Sequence, residues 1–250
     1  MKTWIKISSL SFLFAANLSS THANELTPLW QLSDFDQPES VVANKSEHAL
    51  YVSNINGQPT ELNGQGYISK VSLDGNVLDK HWLKNLNAPK GMAIIGDYLY
   101  IADMQTVHIA SISQAKIIKQ FSVKGAKMLN DITIADNGHV YISDLIGGGI
   151  YRIADNKISQ WYTHESLPHP NGLLWENNTL LIASWGRGMN NDFSTEHAGN
   201  IFSLDTGATK PTLITESEEI GNLDGIVKHN NTIYSSDWIT GNLFKIEKNK

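Results

Sequence analysis

The sequence predicts an all-β fold, a β-propeller built from four-stranded blades, on three observations. Short β-rich runs recur in a fixed order: Tyr51-Val52-Ser53-Asn54, Tyr100-Ile101-Ala102-Asp103, Tyr141-Ile142-Ser143-Asp144, Leu181-Ile182-Ala183-Ser184 and Tyr234-Ser235-Ser236-Asp237. Each is followed by a further strand-like run, at residues 66–71, 107–111, 149–153, 199–204 and 241–246. Turn formers such as Leu73-Asp74-Gly75-Asn76, Asp136-Asn137-Gly138 and Thr206-Gly207 separate the runs, and no long 3.6-residue apolar periodicity lies between helix caps. Glu39, Lys90, Asn130, Asn171 and Asp224, each just ahead of an apolar run, lie 51, 40, 41 and 53 residues apart. Repeats of that length with about four strands each are the signature of a propeller. Five repeats are visible.

The N-terminus reads separately. Lys2 and Lys6 flank a basic start, residues 7–18 are mostly apolar, and Thr21-His22-Ala23 puts small residues where a signal peptidase reads. We expect a signal peptide over 1–23 and a single propeller domain over 24–250, exported to a periplasmic or secreted location. The apolar run is too short to cross a bilayer of about 30 Å as a helix, so no membrane anchor is expected. Leu29-Trp30-Gln31-Leu32 has no repeat of its own and is expected to close the ring as the outer strand beside 241–246. Two insertions, 55–65 and 185–198, lengthen the first and fourth repeats. Both follow a second strand, which places them on the face opposite the start of the first strand unless they fold back toward a ligand.

Composition narrows the function. The chain has no cysteine, which removes disulfides, thiolate metal sites, cysteine nucleophiles and a lipoprotein anchor. Its formal charge is −6 with no run of Lys or Arg, so nucleic acid and anionic lipid are not expected partners. A small-molecule substrate is. No Gly-x-Ser-x-Gly elbow is present, and Gly147-Gly148-Gly149 has no helix after it to make a phosphate loop.

In a propeller the innermost strands run along the central channel, so residues at their starts converge. Glu39, Asn130, Asn171 and Asp224 would bring two carboxylates and two amides to one axis, with Lys90 as the odd position. An all-oxygen set of charge −2 suits Ca²⁺, then Mg²⁺ or Mn²⁺, and argues against zinc. The competing reading is that Asn-Gly and Asp-Gly merely make turns.

Pro38-Glu39-Ser40, Asn130-Asp131, Asn171-Gly172 and Asp224-Gly225, in this order, resemble the SMP-30/gluconolactonase/luciferin-regenerating (LRE) superfamily of six-bladed propellers. The resemblance implies a divalent cation in the channel and hydrolysis of lactones or, in some members, organophosphates. It implies that Glu39, Asn171 and Asp224 are metal ligands, and that Asn130 completes the shell or contacts substrate. Asp224 would be ligand and general base, or alternatively the nucleophile. Three departures stand out. Met128 occupies the place of an arginine found in sugar lactonases, which favours a less polar substrate. Lys90 either balances the carboxylates or binds an anionic substrate. The sixth blade is not visible. The rival readings are a non-catalytic NHL-like propeller binding a protein or glycan, and an inactive truncated member.

Other residues divide between site and scaffold. His169, beside Pro170-Asn171, lines the pocket or lies on a surface loop. Asp103, Asp144 and Asp237 close second strands at equivalent places and are expected to cap turns. Trp185 and Trp238 either pack between blades or stack on substrate.

Overall fold

The structure is a computed structural model in which residues 27–247 are described. The signal peptide expected over 1–23 lies outside them. The chain divides into two compact units, 1–31 and 32–250, and the described strands all lie in the second.

The propeller unit is all-β with five blades in chain order. Blade 1 comprises β1 (Pro38–Asn44), β2 (Ala49–Asn54), β3 (Gly66–Ser72) and β4 (Val77–Leu86). Blade 2 comprises β5 (Pro89–Ile95), β6 (Tyr98–Asp103), β7 (Thr106–Ser111) and β8 (Lys116–Ser122). Blade 3 comprises β9 (Leu129–Ile134), β10 (Val140–Asp144), β11 (Gly149–Ala154) and β12 (Lys157–Thr163). Blade 4 comprises β13 (Pro170–Glu176), β14 (Thr179–Ser184), β17 (Ile201–Asp205) and β18 (Thr212–Leu213), with a small hairpin of β15 (Gly186–Arg187) and β16 (His197–Ala198) in its long insertion. Blade 5 comprises β19 (Leu223–His229), β20 (Thr232–Asp237) and β21 (Leu243–Glu247). Each blade is an antiparallel meander with β1, β5, β9, β13 or β19 at its inner edge. The helical structure among the described residues is one 3-10 turn, Thr215–Ser217.

Two expectations are corrected. Five blades are present among the described residues, against the six that the resemblance implied, and the fifth has three strands. Residues 29–32 form no strand. Leu29 is 96% exposed, so this side chain gains none of the burial that would hold an edge strand.

The core lies between blades. One apolar cluster joins blades 1 and 2 (Tyr51, Ile68, Leu86, Leu99, Ile101). Others join blades 2 and 3 (Val107, Phe121, Leu129, Ile142), 3 and 4 (Tyr141, Ile150, Leu173, Ile182), and 4 and 5 (Leu181, Ile201, Leu223, Ile233). Among the described residues no cluster joins blade 5 back to blade 1. Val41 on β1 and Val227 and Leu243 on blade 5 stay exposed. The ring therefore has a seam.

All five inner strands carry a register shift at the same place. The partners skip from Pro38 to Val41, Pro89 to Met92, Leu129 to Ile132, Pro170 to Leu173 and Leu223 to Ile226. A bulge turns a side chain out of the pleat and leaves a backbone N–H without a ladder partner. The repeated Ser-Asp spelling on second strands answers that need. Ser53, Ser143 and Ser236 accept the bulge N–H groups of Ser40, Asp131 and Gly225 through Oγ at 3.0, 2.9 and 2.9 Å. The following aspartates fix loops. Asp103 accepts from the N–H groups of Asn87 and Ala88, Asp144 from those of Lys127 and Met128, and Asp237 from those of Ile239 and Thr240. Asp103 and Asp144 thereby hold the run-in to β5 and β9, immediately ahead of Lys90 and Asn130.

Candidate functional site

The bulged residues are the ones singled out in the sequence; Glu39, Lys90, Asn130 and Asp224 line the central channel, and Asn171 lies behind Asp224 without lining it. Glu39, Asn130 and Asp224 line two cavities at once, forming the constriction between them. One is an upper chamber of about 60 Å³ bounded by Lys90 and apolar side chains. The other is a lower chamber of about 470 Å³ lined by all five inner strands and by Tyr234, Ser236 and Leu243 on the flank of blade 5. The lower chamber thus runs outward into the seam.

The local geometry differs among the predicted site residues. Asn171 is fully buried, and its Nδ2 donates to Asp224 Oδ1 at 2.9 Å and to the Leu223 carbonyl at 3.1 Å. That fixes the amide so that Asn171 Oδ1 is a buried acceptor with no donor; Glu39 Oε2 is another. Asn130 is buried at the constriction. Lys90 is 2% exposed, and its Nζ donates to the carbonyls of Pro59 and Ala88 at 2.8 and 2.9 Å. Its ammonium is held by the first insertion and by its own run-in.

His169 is partly buried, with Nδ1 2.9 Å from the Leu145 carbonyl, and it is not among the residues lining either chamber. Its carbonyl accepts from Trp185 N–H at 2.9 Å. Both insertions lie against the constriction, since Ile55, Pro59, Trp185 and Phe193 line the upper chamber with Glu39 and Asp224. This corrects their expected placement on the opposite face. In an antiparallel meander the second strand ends beside the start of the first, as the pairs Pro38–Asn54 and Pro170–Ser184 show.

One residue escaped the sequence reading. Asp131 follows Asn130 at the bulge and lines the lower chamber. Its Oδ2 accepts from Leu173 N–H at 2.7 Å, across to blade 4, and its Oδ1 from Ile132 N–H at 2.8 Å. The signal was available. The equivalent positions are Ser40, Gly91, Gly172 and Gly225, all small, and only blade 3 puts an acid there.

The electrostatics follow from three acids and one base in a confined space. Burial pushes the Asp131 carboxyl up to about 7, and the neighbouring Asp224 adds to this while its two backbone donors oppose it. Burial also raises Glu39 well above the usual carboxylate range, with repulsion from Asp224 and Asp131 adding and Lys90 subtracting. Asp224 is raised by burial and pulled back by the Asn171 amide. Lys90 is lowered by burial against the attraction of Glu39 and Asp103. The arrangement favours proton uptake or a bound positive charge.

Among the described residues no three His, Cys, Asp or Glu side chains are gathered as a metal cluster. The candidate set needs its amides. Within that set the two orphaned acceptors, Glu39 Oε2 and Asn171 Oδ1, fit a hard cation, which uses carboxylate and amide oxygens alike.

Comparison with known proteins bears on the fold. No family model and no curated sequence matches the chain. Solved structures do. A nidogen/laminin complex aligns at a TM-score of 0.65 and 14% identity over 84% of this chain and 75% of that one. A protein provisionally assigned as a gluconolactonase aligns at 0.60 and 18% over 82% and 73%. A catalytically inactive virginiamycin B lyase from Staphylococcus aureus, with quinupristin, aligns at 0.58 and 16% over 88% and 73%. At these identities the likeness is one of architecture: the chain shares the β-propeller fold with proteins of unlike function.

Proposed function

We propose that this chain is a divalent-cation-dependent hydrolase of a lactone or related ester, of the SMP-30/gluconolactonase type and exported from the cytoplasm. The observation that carries the reading is a pair of orphaned buried acceptors: Glu39 Oε2, on a residue that lines the channel with Asp224, and Asn171 Oδ1, on a residue whose amide is bonded to Asp224. Unpaired buried oxygens cost free energy unless something satisfies them. Glu39, Asn171 and Asp224 would hold the cation, with Asn130 beside them, and Ca²⁺ suits the set best.

When bound, such an ion polarises a carbonyl and acidifies a water. The rest falls to the chain. Asp224 has one oxygen held by the Asn171 amide, which orients its carboxylate and leaves Oδ2 to accept a proton from water at the channel. Burial raises its basicity. Asn130, at the constriction, presents an amide that orients the substrate carbonyl. Lys90 adds positive charge near Glu39 at the wall of the upper chamber, with two of its three donors held by the carbonyls of Pro59 and Ala88. The narrow upper chamber limits water around the reacting bond.

The test is calorimetric titration of chelator-stripped protein with Ca²⁺, Mg²⁺ and Mn²⁺, followed by a panel of lactones and aryl esters. Binding that disappears in Asp224→Ala, with metal-dependent turnover, is the expected result. Absence of binding at millimolar metal would remove the proposal. Metal binding without turnover of any ester would favour a non-catalytic binding propeller.

A further inference from the structure

The upper chamber has chemistry of its own. Its walls above Glu39, Asn130 and Asp224 are Ile55, Met128, Leu145, Trp185, Phe193 and Trp238. They come from four blades and both insertions, yet most belong to one apolar cluster: Ile55, Met128, Leu145 and Trp185 are buried in it, with Phe193 packed against it. Trp185 and Trp238 lie with ring centroids 5.7 Å apart at 48°, and Trp238 is 56% exposed at the mouth.

The buried polar groups in the wall are largely engaged. Trp185 Nε1 donates to the Phe193 carbonyl at 2.8 Å, and Lys90 Nζ donates to the carbonyls of Pro59 and Ala88 and more weakly to Met104 Sδ at 3.7 Å. A substrate entering here meets side-chain hydrogen-bonding partners at the floor and apolar surface above it. A water needs about 10–15 Å³ of such space, so 60 Å³ holds roughly four water-sized bodies, the bulk of a short alkyl chain or one aryl ring.

We infer that the substrate carries an apolar alkyl or aryl substituent, which lies between Trp185, Trp238 and Phe193 while its carbonyl sits at Glu39, Asn130 and Asp224. This rests on the hydrolase reading for the carbonyl end, but the apolar subsite stands on the wall residues alone. A polyhydroxylated ring would strip its hydroxyl groups of water and find few donors or acceptors above the floor to replace it. Met128, whose thioether helps to line the wall, adapts to the shape of an apolar group and offers no charge to a polar one.

The experiment uses two stable ligands, so that turnover does not obscure binding. One is 2-butylcyclohexanone, which keeps a carbonyl and an alkyl tail but has no ester bond. The other is gluconolactam, which keeps the sugar-lactone shape and its hydroxyls. Affinities are measured by calorimetry on wild type and on Trp238→Ala, whose exposed side chain can be truncated without opening the core. The ketone is expected to bind at least about tenfold more tightly than the lactam, and Trp238→Ala to remove most of that preference. Equal affinities, tighter lactam binding, or ketone affinity unchanged in Trp238→Ala would each overturn the inference. A parallel Ca²⁺ titration separates the two proposals. Ketone binding without any cation response would leave the apolar subsite standing and remove the hydrolase reading. Cation-dependent ester turnover with no ketone binding would do the reverse.

Discussion

The joints between successive blades and the seam between the fifth and the first are built from equivalent positions, yet they differ at atomic contact. At Gly172 on β13, an added Cβ would stand 2.2 Å from the Asp224 carbonyl oxygen of blade 5. At Gly91 on β5 it would stand 2.6 Å from Asp131 Cα and 2.8 Å from the Asn130 carbonyl of blade 3. Blade meets blade there with no room for a side chain. The equivalent Gly225 on β19 faces the seam, and its Cβ would meet only Ser236 Oγ of its own blade, at 3.3 Å. Polar pins tell the same story. Asp131 reaches Leu173 N–H, Thr133 Oγ1 accepts from Trp175 N–H at 3.1 Å, and Lys228 pairs with Glu176. The lesson is that the channel wall is closely packed where its side chains come from adjoining blades and open on the side where blades 1 and 5 meet.

The largest expected effect follows from breaking a tight joint. Gly172→Val should cost at least about 3 kcal/mol, because the obstacle is backbone that cannot swing aside. Urea denaturation would measure it, and a midpoint equal to wild type would show the blades to be looser than described. Next, Leu129→Ala removes a fully buried side chain from the cluster between blades 2 and 3 and should cost about 2–5 kcal/mol in the same assay.

A smaller effect comes from pH. The folded-state value for Asp131, about 7, lies above its ordinary 3.8, so between these values the native state holds more protons than the unfolded chain. Stability of the chelator-stripped protein should therefore fall as pH rises from about 4 to 7, with the penalty fully present above 7. The loss attributable to this carboxyl is on the order of 2 kcal/mol once its partial exposure is discounted. Comparing denaturation midpoints of wild type and Asp131→Asn across that range isolates it: the variant should show the flatter profile, and parallel profiles would assign the effect elsewhere. The smallest effects belong to the seam. Gly225→Ala and Val227→Thr should each lie within about 0.5 kcal/mol of wild type, since neither residue packs against blade 1. A cost above 2 kcal/mol for either would mean that the ring is closed in solution.

The sequence made the blades legible because their signals are local. Tyr141-Ile142-Ser143-Asp144 and its equivalents alternate, turn and repeat within 40–53 residues, and the second strands end where those runs end and begin one or two residues before them. The equivalence of Glu39, Asn130, Asn171 and Asp224, each at the bulge of an inner strand, was readable for the same reason. What escaped depends on contacts between distant segments. The unpaired third face of blade 5 and the unstranded 29–32 segment could not be read from a four-residue apolar pattern, because edge pairing depends on burial supplied by something else. Asp131 was passed over because its neighbour Asn130 carried the motif, although an acid among Ser40, Gly91, Gly172 and Gly225 was the visible exception. The insertions were put on the wrong face through strand direction, which the antiparallel meander fixes without any coordinates.

The five bulges have a consequence for how such a channel changes over time. Each sets one side chain apart from the ladder, with its freed N–H satisfied in three blades by a serine on the neighbouring strand. A substitution there alters what the axis presents while leaving strand pairing untouched, although at Asn171 and Lys90 it also removes bonds to blade 5 and to the first insertion. The positions behave as sockets. That lysine, asparagine, aspartate and glutamate occupy equivalent sockets in one chain shows how readily their contents are exchanged, and it makes Lys90 the natural place to begin altering the ring's charge. A library confined to residues 39, 90, 130, 171 and 224 would sample new chemistries on an unaltered scaffold.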